Sequence, residues 1–173
     1  MPLRFPLLVF PHEKHLNCSN LLCHCNRRRL LDGGSSASIG INVNTVSAYA
    51  TAYSTAMSAW TPTTEVSITQ DGGANWAAVS GHYGNTGRTG HTSWTCNLLY
   101  RRSSVASQLN RTYLDPYPAG KRALVAMHEL GHGIGVGHST VGNPVMYHCS
   151  GCSFDAGTRT LTADDIAGAN ARY

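Results

Sequence analysis

The sequence predicts an α+β domain, a β-sheet packed on helices. Apolar residues alternate with small or polar ones in short runs, and elsewhere they recur at helical spacing. The composition also changes near Asp32-Gly33-Gly34-Ser35-Ser36, after which the regular patterns begin. The expected division is an N-terminal segment over 1–35, a pro-segment or an atypical start, and a folded domain over 36–173.

Ile39, Ile41 and Val43 alternate with Gly40 and Asn42, which predicts a strand. From Val46 the spacing changes: Val46, Tyr49, Ala50, Tyr53, Met57 and Trp60 form a helical stripe, and Pro62 follows its end. Val66 and Ile68 alternate again before the turn Asp71-Gly72-Gly73. Gly81 to Gly90 reads as loop, and Val105, Ser107 and Leu109 as one face of a further strand. Pro116 to Gly120 is a break. A second helix is expected from Lys121, with Leu124, Met127, Leu130 and Ile134 on one face. Thr162-Ala163-Asp164-Asp165 has the form of a capping box with Asp165 in place of Glu, opening a last helix that runs to about Arg172.

A chain of 173 residues suits one domain with a sizeable core. The net charge is +4, and eleven of the thirteen basic residues are arginine. Arg27-Arg28-Arg29 and Arg101-Arg102 read as mildly basic surface, since no interleaved aromatics or helix-turn-helix pattern point to nucleic acid. The run Leu3–Phe10, broken by Pro6, is too short to span a membrane and makes a poor secretory signal. Six cysteines (Cys18, Cys23, Cys25, Cys96, Cys149 and Cys152) permit disulfides without fixing their connectivity. Cys149 and Cys152 read as a disulfide or loop constraint. Both staying reduced, or a pairing of Cys96 with one of them, remain open.

Chemistry concentrates in His128-Glu129-Leu130-Gly131-His132-Gly133-Ile134-Gly135-Val136-Gly137-His138. His128 and His132 are four apart, so on a helix their imidazoles share a face and can meet one ion. A third ligand from the same helix would stand at the wrong angle. Gly135 accepts the positive φ that lets the chain leave the helix and turn back, and His138 then completes a three-histidine zinc site. Three protein ligands leave a position open for water, the catalytic arrangement. Glu129, about 100° round the helix from His128, flanks the ion without binding it. It is placed to take a proton from water on the metal and pass it to a leaving amine.

This stretch matches H-E-x-x-H-x-x-G-x-x-H and resembles the metzincin metallopeptidases. Ser139 after the third histidine is the matrixin-like choice. Pro144-Val145-Met146-Tyr147 resembles the matrixin Met-turn, with Met146 beneath the metal as a support for the histidines. Leu161 to Ile166 is similar to the start of the matrixin C-terminal helix. The place two after Met146, where the astacin-like branch carries a tyrosine ligand, is His148, so no tyrosine ligand is expected.

The resemblance implies a metzincin fold: a twisted mixed sheet packed on two helices, and a small C-terminal subdomain holding a third. It implies a zinc metalloendopeptidase that lays extended peptides along an edge strand, for which Ser104–Asn110 is the candidate. With the cysteine usage, it also implies a secreted, extracellular protein. Protein or peptide substrates, a monomeric state and no nucleic-acid or membrane partner are expected. Animal matrixins carry a second zinc and calcium in a loop rich in His and Asp. Here that region offers His82 and His91, and no Asp lies between Asp71 and Asp115, so neither site is expected. No P-R-C-G propeptide motif is present. His15, Cys18, Cys23, His24 and Cys25 are a further metal-binding candidate. Two rival functions stand beside the protease: a non-enzymatic zinc module, for which His148 is the nearest fourth ligand, and a zinc hydrolase acting on something other than peptide.

Overall fold

The computed structural model describes residues 37–96 and 102–173. The N-terminal segment with its cysteines and arginines, the proposed boundary at 32–36, Arg101 and the side chains of Cys96 and Arg102 lie outside the described residues. Five strands form one sheet: β1 (Ala37–Val43), β2 (Val66–Gln70), β3 (Trp76–Gly81), β4 (Gly90–Cys96) and β5 (Arg102–Asn110). Five helices accompany them: α1 (Ser47–Trp60), α2 (Arg111–Leu114), α3 (Ala119–Ile134), α4 (Ser150–Asp155) and α5 (Ala163–Asn170). The sheet order is β2-β1-β3-β5-β4. All pairings are parallel except that of β4 with β5.

The order corrects the expected substrate strand. Ser104–Asn110 lies in β5, which is paired on both sides, with β3 and with β4. Among the described residues, the outermost strand on that side is β4. Two strands, β3 and β4, are also additions to the elements expected from the sequence, as are the short helices α2 and α4.

Helix α1 buries Tyr49, Ala52, Tyr53, Ala56, Met57 and Trp60, a stripe at three- and four-residue spacing. Val46 caps it from outside and is exposed, so the stripe starts three residues later than expected. Helix α1 packs on α3, and α3 packs on β4 and β5. The Trp60 indole donates to the Met127 carbonyl at 3.0 Å, which fixes α1 one residue before His128. Helix α3 begins at Ala119, two residues before the expected Lys121, because Pro118 at φ −63° already has the φ a helix start needs. Helix α5 carries the expected capping box, Thr162 with Asp165, and ends at Asn170.

Candidate metal centre

Residues 123–131 of α3 are all buried, so this helix is core on several faces. The helix ends at Gly135, whose φ of +87° places it in the left-handed region. Its N–H closes on the carbonyls of Gly131 and His132. A side chain there would meet the Cβ–carbonyl crowding that disfavours left-handed backbone. The reversal brings His138 back onto His132, with the two Nε2 atoms 3.1 Å apart.

The three imidazoles meet. The ring centroids of His128, His132 and His138 stand 4.6, 5.2 and 4.7 Å apart, and one ligand atom from each lies within 4.8 Å of the others. Tetrahedral ligands at about 2.0–2.1 Å from zinc would stand about 3.3 Å apart. His128 Nδ1 lies 2.8 Å from the Val145 carbonyl, and His132 Nδ1 lies 3.0 Å from the Val136 carbonyl. A carbonyl only accepts, so each Nδ1 carries the proton and each Nε2 keeps its lone pair. Burial, and then the neighbouring His132, pushes His128 down to about 3. Burial, and then His148, lowers His138. Neutral imidazoles are the form a metal needs, so the donor set fits zinc.

After the third histidine, Val145 and Met146 are fully buried. A Cβ at Gly131 would collide with the Met146 sulfur, so helix and turn are in direct contact at this residue. The backbone N–H groups of Val145 and Met146 both donate to the Asp165 carboxylate at 2.9 Å. Asp165 accepts from Thr162 N–H at 2.8 Å as well. One buried carboxylate therefore caps α5 and holds the turn whose Val145 carbonyl meets His128. The sequence had offered only its capping role. The Ser139 N–H donates to the Met146 carbonyl, joining the turn to the residue after His138. Cys149 and Cys152 form a disulfide, the first of the readings left open, and Cys149 Sγ accepts from the Cys152 N–H at the start of α4. His148 stacks on Tyr147, with centroids 4.1 Å apart.

Glu129 is 4% exposed and points toward β4. Its Oε2 accepts from the Thr92 hydroxyl at 2.7 Å. Burial pushes the Glu129 carboxyl up to about 7, against the Thr92 hydrogen bond and the Arg88 charge. A carboxyl with this pKa can both accept and return a proton near neutral pH. Thr92 is a site residue that sequence reasoning missed. Its signal was the alternation of Thr92 and Trp94, a strand pattern directly after Gly90.

His82 and His91 do not join this cluster. His82 lies 3.5 Å from Asp115, and His91 sits on β4 opposite Gln108. Among the described residues, no helix is long and apolar enough to cross a membrane.

A family model described as Matrixin matches residues 46–173. No curated protein matches the chain. The family match runs from the residue before α1 to the last residue and takes in both the histidine cluster and the Pro144–Tyr147 turn. On this ground the chain belongs to the matrixins and is a zinc metalloendopeptidase, a hydrolase of peptide bonds.

Proposed function

We propose that this chain cleaves peptide bonds in extended protein substrates at one zinc ion held by His128, His132 and His138, with Glu129 as general base. The observation that carries the reading is the meeting of three imidazoles on a helix whose next residue after His128 is the buried Glu129. When bound, zinc lowers the pKa of a water to about 7 and polarises the scissile carbonyl. Glu129 takes the water proton and later delivers it to the leaving amine. The Val145 and Val136 carbonyls hold two of the rings in orientation and tautomer. Gly135 turns the chain so that His138 reaches the site, and Met146 supports the rings from below.

An extended substrate adds to the outer edge of β4, Gly90–Cys96, by main-chain pairing. Residues 36–173 form the catalytic domain, with 1–35 outside it, and the protein acts as a secreted monomer. No calcium or second zinc enters this reading.

Glu129→Ala is expected to keep stoichiometric zinc and lose about 10²–10⁴-fold in turnover on a casein-like substrate. An unchanged rate would remove Glu129 from the mechanism. Screening a mixed peptide library with and without chelator separates the protease from a non-enzymatic zinc module and from a hydrolase of other substrates. Chelator-sensitive cleavage is the expected result, and intact peptides would sink the reading.

A further inference from the structure

Around the Glu129 carboxyl lies a buried polar cluster built on β4 and β5. Thr92 on β4 and Ser107 on β5 are direct cross-strand partners, 8% and 0% exposed. Their γ-oxygens are 3.3 Å apart. The Trp76 indole N–H donates to Ser107 Oγ at 3.1 Å, and the Tyr53 hydroxyl donates to the Ser107 carbonyl at 2.7 Å. Ser107 is thus fixed from two sides, and it backs Thr92.

Thr92 has one proton and three oxygens within reach. These are Ser107 Oγ at 3.3 Å, the Glu129 carbonyl at 2.9 Å and Glu129 Oε2 at 2.7 Å. The carboxylate oxygen is nearest and carries the charge, so it takes the proton, because charge-assisted hydrogen bonds are the stronger. Glu129 Oε1 has no such partner among the described residues and lies against Gly90. A Cβ at Gly90 would collide with Oε1 and stand 2.7 Å from the Glu129 Cγ and 2.8 Å from its carboxyl carbon. The carboxyl group therefore occupies the space a side chain of the edge strand would otherwise fill.

We infer that Thr92 is a positioning residue for the peptidase reaction: its hydroxyl anchors Glu129 Oε2, leaving Oε1, which lies against Gly90 of β4, to exchange the proton. This rests on Glu129 being the base, as proposed above. The two carboxylate oxygens have separate tasks. Without the anchor the side chain gains other rotamers, and a misplacement of about 1 Å can cost about 100-fold in rate. Substrate pairing uses the β4 backbone, which the Thr92 hydroxyl does not touch, so the effect falls on kcat.

The test compares Thr92→Val, Thr92→Ala and Thr92→Ser with the parent chain, each loaded with zinc, on one fluorogenic peptide. Thr92→Val removes the hydroxyl at nearly constant volume and is expected to lower kcat by about 10–100-fold, with KM within about twofold. Thr92→Ala, which cannot overpack the site, repeats the loss if Thr92→Val folds poorly. Thr92→Ser keeps the hydroxyl and recovers most of it. A Thr92→Ser variant as slow as Thr92→Ala would assign the effect to the lost methyl and overturn the proposal. So would a full kcat in Thr92→Val. The double variant Thr92→Val/Glu129→Ala should be no slower than Glu129→Ala alone, because Thr92 acts through Glu129. Additive losses would also overturn it. Glu129→Ala in the same assay separates the two readings: if that variant stays active, the base assignment has failed rather than the anchor.

Discussion

At position 133 a Cβ would run into the Trp76 indole, with Cε2 only 2.8 Å away. Trp76 is the ring that donates to Ser107 behind Glu129. Its indole lies in the core between sheet and helix, 5% exposed, and has nowhere to retreat. Gly133→Ala is therefore expected to lower stability by about 1–3 kcal/mol through overpacking, even though alanine is the better helix former. Urea unfolding measures this directly, and a variant more stable than the parent would show that the contact relaxes. In the sequence, Gly133 looks like an unconstrained place within the histidine motif. The ligands themselves were legible because their partners are four and six residues away in one contiguous run. Thr92 was not, since its carboxylate lies 37 positions downstream and threonine has many uses on a strand. Asp165 was half legible: its bond to Thr162 is local, and its bonds to Val145 and Met146 cross about twenty residues.

Among elements, the junction of α3 with the following turn decides whether the third ligand arrives. Gly135 sits at φ +87°, and the chain from Val136 to His138 doubles back from that residue. Gly135→Ala has to hold a left-handed backbone at a cost of about 1–2 kcal/mol. Relief of that strain moves His138, so zinc affinity is expected to fall by about tenfold or more, in line with such a cost. Competition with a chromogenic chelator reads this out. Unchanged affinity together with a normal melting temperature would show that the turn tolerates a side chain. The helices α1, α3 and α5 were legible from periodicity and from the Thr162–Asp165 box. Helix α4 was not, because six residues do not establish a helical period. The strand order was hidden for a different reason. β5 reads as a strand with one apolar face, and that pattern is the same at an edge or in the interior. Its interior place depends on β4, whose Gly-His-Thr-Ser-Trp-Thr run contains one large apolar residue.

An ionisable pair joins the start of α1 to the end of α2, and it makes the stability of the whole molecule depend on pH. The Tyr49 hydroxyl donates to Asp115 Oδ1 at 2.6 Å, with Arg111 Nε 3.4 Å from the same oxygen. Burial, and then the Asp115 carboxylate, raises Tyr49 from 10 to about 12. The Tyr49 hydrogen bond in turn holds Asp115 below the usual carboxylate range. The sign for each follows from linkage. Below pH 10 folded and unfolded chains both keep the tyrosine proton, and the contribution of Tyr49 is complete. Between about pH 10 and 12 the unfolded chain releases that proton while the folded chain retains it, so stability declines as pH rises. Asp115 acts at the other end: its contribution is present above its ordinary value of 3.8 and is lost as pH falls through its lowered one. Tyr53 is also raised well above 10, by burial and then by the Glu129 charge, and adds its own alkaline slope. Tyr49→Phe is therefore expected to flatten the fall of the urea midpoint between pH 10 and 12 without abolishing it, because the Tyr53 share persists. The same substitution lifts the pKa of Asp115 and brings acid unfolding to a higher pH. Measuring the midpoint in steps from about pH 2 to about pH 11.5 tests both arms on one pair of proteins. An alkaline slope identical in the parent and in Tyr49→Phe would mean that the pair does not set the limit, and that the decline belongs to other groups.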